Sequence, residues 1–276
     1  MRLRGLFVML SALVLAACQS PRERLDRLAA DYRWSVEVLS VADFPLLIAA
    51  SPSLSSSSVL RVYLEGDGRA WVTPSQPSRD PTPRALLVAT LAMRDPMPSI
   101  YMSRPCQFVR AVGCTPALWT SRRFSLQVVD GLSQALDQLK RRHGNRAFEL
   151  VGYSGGGALA LLLAARRDDV VRVQTLAGNL SPAQWARQLE LIPLEGSLEP
   201  LLYRERLAQV AQRHLVGEAD RQMPAAVAAY YGRQLGESRC LEFVMLPGVT
   251  HAQGWEQAWR HWRDRPLGCA APVQAP

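Results

Sequence analysis

Gly152-Tyr153-Ser154-Gly155-Gly156 constrains this chain more than any other five residues. A short apolar run, Ala147 to Val151, precedes it and has the length of a buried strand. The run from Gly157 to Ala165, rich in alanine and leucine, follows and reads as a buried helix. A chain that passes so abruptly from strand to helix must turn sharply. Gly152 and Gly156 remove the side chains that would collide where the two arms cross. Ser154 is left at the tip, beside the free N–H groups of a helix N-terminus, where negative charge is stabilised.

A serine in this position is a nucleophile only if a base can take its proton and an acid can orient that base. With this kind of turn the expected chain order is Ser, then Asp or Glu, then His. The segment from His214 to Gly217 reads as a strand ending in a loop that carries Asp220, and Met223-Pro224 opens a helix to about Leu235. Leu241 to Leu246 is the next strand, and Pro247-Gly248-Val249-Thr250 delivers His251. Asp220 and His251 both follow strands, and open parallel sheets build their sites at strand C-terminal ends. The remaining histidines are not placed for catalysis. His143 closes a helix beside Gly144, His214 opens a strand at the wrong end of the sheet, and His261 lies between Trp259 and Trp262 in the last helix. Glu218 is the rival acid but falls within the strand end, so Asp220 is favoured. Asp168 and Asp169 precede a strand and point to the opposite edge.

Val59 to Leu64 reads as an early strand running into Glu65-Gly66-Asp67-Gly68. Acyl chemistry needs two backbone N–H donors aimed at the developing oxyanion. Gly155 is expected to supply one, and Asp67 or Gly68 the other.

With Glu65-Gly66-Asp67-Gly68, Gly152-Tyr153-Ser154-Gly155-Gly156, Gly217-Glu218-Ala219-Asp220 and His251 in place, the chain resembles the α/β-hydrolase superfamily over residues 36–268. It looks most similar to bacterial envelope α/β hydrolases in which the Glu-Gly-Asp-Gly start, an Arg-Pro-Cys segment (Arg104-Pro105-Cys106) and a Ser-Asp-His set recur. The resemblance implies an α/β fold: a mostly parallel central sheet, helices on both faces and a short helical cap. It also implies transfer of an acyl group to water through an acyl-serine, on a small-molecule or lipid-like ester or related substrate, with no cofactor or metal. The oxyanion loop departs from the His-Gly-Gly-Gly form of many lipases and esterases, which speaks against a lipase. One fold hosts many chemistries. Acyltransfer, amide cleavage and a non-catalytic envelope binding protein therefore stay open.

The N-terminus carries an export pattern. Arg2 and Arg4 precede the apolar stretch Leu6 to Leu15, which is too short for a spanning anchor. Leu15-Ala16-Ala17-Cys18 looks like the lipobox of bacterial lipoproteins, with Cys18 as the lipidated residue of a membrane-anchored chain. Gln19, rather than an aspartate, implies the outer membrane by the same resemblance. Setting Cys18 aside leaves Cys106, Cys114, Cys240 and Cys269, an even number that suits an oxidising compartment. Four cysteines allow three connectivities; neighbour pairing, Cys106 with Cys114 and Cys240 with Cys269, is the expectation. No Cys/His cluster has zinc spacing.

The expected organisation is a signal at 1–17, an anchor with a short amphipathic helix at 18–35, and one hydrolase domain at 36–269. A cap is expected at 177–213 and a disordered tail at 270–276. The helix, Pro21 to Trp34, places Leu25, Leu28 and Tyr32 on one side. The cap should hold helices at Pro182 to Leu189 and Tyr203 to Gln212, with Trp185, Leu191, Ile192 and Leu194 as candidates for an acyl or leaving-group pocket. Trp255, Trp259 and Trp262 share a helical face and read as core. The formal charge is +8, and only Lys140 is lysine. No nucleic-acid-binding motif accompanies that charge, so nucleic acid is not an expected partner.

Overall fold

A computed structural model describes residues 19–41, 44–54 and 58–269. In chain order its elements are α1 (Pro21–Asp31), β1 (Ser35–Val41), β2 (Phe44–Ala50), β3 (Val59–Leu64), β4 (Trp71–Thr73), β5 (Gln76–Pro77), α2 (Leu87–Met93), β6 (Ser99–Met102), α3 (Leu126–His143), β7 (Ala147–Tyr153), α4 (Gly155–Arg166), β8 (Val170–Leu176), α5 (Pro182–Gln188), α6 (Arg204–Leu207), β9 (Ala211–Gly217), α7 (Ala225–Leu235), β10 (Leu241–Leu246) and α8 (Trp255–Trp262). Among the described residues the main sheet has eight strands in the order β1-β2-β6-β3-β7-β8-β9-β10. From β6 to β10 every neighbouring pair is parallel, while β2 runs antiparallel to both β1 and β6. β4 and β5 form a separate small hairpin.

The apolar pattern explains the layers. Strands buried on both faces read as continuous apolar runs, as Leu46 to Ala50 in β2 does. On one face α3, α4, α6 and α7 cover the sheet, with Val128, Leu132, Leu136 and Leu159 to Leu163 in one core. On the other face α1, α2 and α8 contribute Leu25, Ala29, Val88, Leu91, Trp255 and Trp259. Trp255 and Trp259 are thus core, and Trp262 packs against their edge. α1 ends at Asp31, earlier than the amphipathic pattern predicts, because Arg33 takes a left-handed conformation at φ 58° and turns the chain into β1.

A row of hydrogen-bonded polar side chains runs across β7, β8, β9 and β10. The Gln174 amide donates to Glu149 at 2.6 Å, and Arg213 donates to Glu242 at 2.9 Å. The Arg213 guanidinium also donates to the carbonyls of Trp262, Arg265 and Pro266 at 2.8, 2.9 and 2.7 Å. One buried side chain thereby ties the C-terminal segment to the sheet. A disulfide between Cys240 and Cys269, with Cα atoms 5.4 Å apart, fastens the same segment to the start of β10. Cys106 pairs with Cys114 at a Cα separation of 5.7 Å, so both neighbour pairings form. Cys18 and the tail at 270–276 lie outside the described residues.

Two expectations are corrected. β9 starts at Ala211, so His214 sits in mid-strand, not at its opening, and is fully buried. The helix expected over Tyr203 to Gln212 is only the single turn of α6, because Ala211 and Gln212 are already strand. Neither Gln212 nor His214 has the apolar character of a buried strand residue, but the sheet supplies both with partners. The His214 imidazole accepts from the Thr175 hydroxyl at 2.9 Å and donates to the Gln212 side-chain oxygen Oε1 at 3.1 Å. Burial lowers its pKa to about 3, which keeps the ring neutral.

Candidate active site

The turn between β7 and α4 places Ser154. Its backbone has φ 52° and ψ −122°, a strained conformation for a residue with a side chain. The surroundings hold it there. The Ser154 N–H donates to the Leu176 carbonyl at 3.0 Å, and its carbonyl accepts from the N–H groups of Gly157 and Asn179, both at 2.9 Å. The crossing of the two arms is close at Gly152, where a Cβ would lie 2.3 Å from the Gly156 carbonyl oxygen; Gly156 itself instead packs against the end of β3, where a Cβ would lie 2.4 Å from the Leu64 carbonyl oxygen.

The loops after β9 and β10 bring the acid and the base to this turn. His251 Nε2 lies 3.1 Å from Ser154 Oγ, and His251 Nδ1 lies 2.8 Å from Asp220 Oδ2. A carboxylate oxygen accepts, so Nδ1 carries the proton and Nε2 is left to accept from the serine hydroxyl. Asp220 is 4 % exposed. Its other oxygen accepts from the main-chain N–H groups of Gln222 and Met223 at 2.9 and 2.8 Å. Glu218, the rival acid, lies beyond the end of β9 on the exposed surface. His143 and His261 lie on α3 and α8, away from the serine.

The loop after β3 lies against the serine. A Cβ on Gly66 would be 3.3 Å from Ser154 Cβ, and one on Gly155 would be 2.0 Å from Asp67 Oδ1. The Asp67 carboxylate therefore flanks Gly155, and Gly68 lines the same cavity, with the Pro81 carbonyl and Gln107 on the side where a Cβ would stand. Gly155 is the first residue of α4, so its N–H has no intrahelical acceptor. The Asp67 carboxylate is clamped by two buried guanidinium groups, those of Arg104 and Arg123. Burial raises its pKa, but Arg123 and Arg104 outweigh that effect and hold it below the usual carboxylate range. Glu65, two residues earlier, accepts from the Gly66 N–H at 2.8 Å and the Tyr101 hydroxyl at 2.9 Å. Burial nevertheless pushes its carboxyl up to about 7.

Ser154 opens into a cavity of about 770 Å³. Trp185, Leu191, Ile192 and Leu194 all line it, as do Trp71 and Val72 from the β4–β5 hairpin. The first part of the segment after β8 therefore covers the site, while Pro200 to Leu207 turns away and packs against α4. A serine hydroxyl bonded to an imidazole, itself held by a buried carboxylate at the edge of an apolar cavity, is equipped for nucleophilic attack on a carbonyl. Among the described residues no group of three His, Cys, Asp or Glu side chains gathers as metal ligands.

An esterase of Pyrococcus furiosus superimposes with a TM-score of 0.61 over 85% of this chain and 91% of its own, at 10% identity. An α/β serine hydrolase homologue from Coxiella burnetii matches with a TM-score of 0.50 over 79% and 88%, at 14% identity. This chain has the α/β-hydrolase fold. An acylaminoacyl peptidase of Pyrococcus horikoshii shares it too, with a TM-score of 0.57 over 79% of this chain and 37% of that one, at 12% identity. No protein-family model and no curated protein matches the sequence.

Within the α/β-hydrolase fold the turn, the acid loop and the histidine loop occupy the strand ends that the sequence assigns to them. Sequence reasoning misses three features. Tyr153 donates its hydroxyl proton to the His251 carbonyl at 2.7 Å. The Asp67 clamp joins residues 37 and 56 positions apart. The β4–β5 hairpin forms one wall of the cavity. Only Arg104 carries a signal, through the Arg-Pro-Cys segment.

Proposed function

We propose that this protein is a serine hydrolase that cleaves an ester or related acyl bond through an acyl-serine. The observation that carries the reading is the unbroken chain of hydrogen bonds from Ser154 through His251 to Asp220. Ser154 Oγ attacks the acyl carbonyl while His251 Nε2 takes its proton. The resulting imidazolium is held by Asp220, then protonates the leaving group. Water enters, gives a proton to His251 and attacks the acyl-serine, and the acid departs as the serine hydroxyl re-forms. The N–H groups of Gly155 and of Asp67 or Gly68 stabilise the oxyanion in both halves of the reaction. The esterase and peptidase among the structural counterparts support acyl chemistry on this fold.

The reading includes a lipid anchor at Cys18, supported by the Leu-Ala-Ala-Cys pattern. Ser20 caps α1, and Leu25 and Ala29 of that helix are buried in the domain. An anchor at Cys18 would therefore hold the domain close to its membrane. Among the described residues no helix is long and apolar enough to cross one.

A fluorophosphonate probe tests the activity. Labelling mapped to Ser154 and absent from His251→Ala supports an activated serine. A folded protein that stays unlabelled, or a Ser154→Ala variant that still hydrolyses esters at the original rate, refutes it. Incorporation of radiolabelled palmitate, lost in Cys18→Ala, tests the anchor.

A further inference from the structure

The charges lining the cavity do not balance. Its two carboxylates, Glu65 and Asp67, are both buried and already engaged: Glu65 by Gly66 and Tyr101, Asp67 by Arg104 and Arg123. Two further arginines, the half-buried Arg69 and the exposed Arg84, also line the cavity, and among the described residues neither forms an ion pair with a carboxylate. Arg69 directly follows the Asp67-Gly68 turn, and its N–H donates to the Pro81 carbonyl at 3.0 Å. The Arg84 backbone is held by the Arg24 side chain, which donates to its carbonyl at 2.7 Å. Both arginines are therefore carried on fixed backbone. Beside them the cavity mouth is apolar and open: Val72 is 47%, Leu191 43% and Ile192 78% exposed. Apolar surface with two unpaired cations at its edge fits an amphiphile whose apolar part fills the cavity and whose anionic group meets the arginines.

We propose that the cavity selects acyl substrates that carry an anionic group, and that Arg69 and Arg84 recognise that group. The ester itself rests on the function proposed above; the anion site does not. Guanidinium groups bind phosphate and carboxylate oxygens alike, so both are candidate anions.

Calorimetric titration of the Ser154→Ala protein with octyl phosphate, octanoate and 1-octanol tests the site without turnover. Octyl phosphate or octanoate should bind about five- to tenfold more tightly than octanol at low salt, the gain that two partly solvated ion pairs supply. The gap should narrow with added salt. It should close in Arg69→Gln/Arg84→Gln and survive in Arg69→Lys/Arg84→Lys, with melting temperatures confirming that both variants fold. A stronger effect with one anionic ligand identifies the preferred anion. Equal affinity for all three ligands, no binding of any, or a gap that survives the glutamine pair overturns the proposal. In the Ser154-containing protein, 4-nitrophenyl hemiglutarate should show a higher kcat/KM than 4-nitrophenyl butyrate, and the glutamine pair should bring the ratio towards one. Discrimination in binding without fluorophosphonate labelling of Ser154 would leave the anion site standing and remove the hydrolase reading.

Discussion

The residue before the serine holds the histidine. Tyr153 Oη donates to the His251 carbonyl at 2.7 Å, and the two rings lie with centroids 5.2 Å apart. Trp255 Nε1 donates to the same carbonyl at 2.8 Å. The loop carrying His251 is thus pinned from the nucleophile's own strand and from α8. Tyr153→Phe removes one of these two anchors and no reacting group. One hydrogen bond contributes about 1 kcal/mol, so kcat/KM towards an ester should fall about fivefold, with fluorophosphonate labelling slowed but not abolished. A rate unchanged from that of the parent protein would show that Trp255 alone positions the loop.

Asp220→Asn should be far more damaging than its small change in shape suggests. The Gln222 and Met223 N–H groups need an acceptor at Oδ1, so the asparagine oxygen stays there and its NH2 faces His251. His251 Nδ1 must then accept, and its proton moves to Nε2, where it cannot take the serine proton. A loss of about 10⁴ in kcat, with little change in melting temperature, is the expected outcome. Steady-state kinetics with a saturating ester checks it.

Asp67→Asn should act on stability. Arg104 and Arg123 are 4% and 3% exposed and would lose their shared counter-charge. Breaking a buried ion pair on one side costs about 3–5 kcal/mol, which urea titration would register as a lower midpoint. Arg104→Met together with Asp67→Asn should cost less than the two single changes added, because one uncompensated charge has been removed.

Glu65 makes stability depend on pH in the opposite sense to a salt-bridged carboxylate. Its folded pKa of about 7 lies above the ordinary value of 4.5, so the native state binds the proton more tightly than the unfolded chain. Its contribution is full below pH 4.5 and is lost as pH rises through about 7. Glu65→Gln cannot ionise. Relative to the parent protein it should gain stability progressively between these limits, by a few kcal/mol at pH 8, and then level off. Melting curves of both proteins from pH 4 to 8 would show this; parallel curves would contradict it.

The local code is strong where chemistry needs it. Ser154, its flanking glycines and the apolar runs on either side mark a strand, a turn and a helix, although the Leu176 carbonyl and the Asn179 N–H hold the turn itself. The order of Asp220 and His251 follows from strand-loop punctuation, and the cysteine pairs from their proximity in sequence. Residues outside such local patterns are harder to read. Gln212 and His214 escape a local reading because each satisfies its polar atoms through neighbours on β8, β9 and α7, and no run of adjacent letters records that. The Asp67 clamp, the Tyr153 anchor and the hairpin wall of the cavity likewise join parts of the chain far apart in sequence. Sequence by itself determined which residues can act and in what order they occur. Tertiary structure decided which buried charges find counter-charges and which arginines are left without one, because electrostatic compensation depends on distance and burial in space.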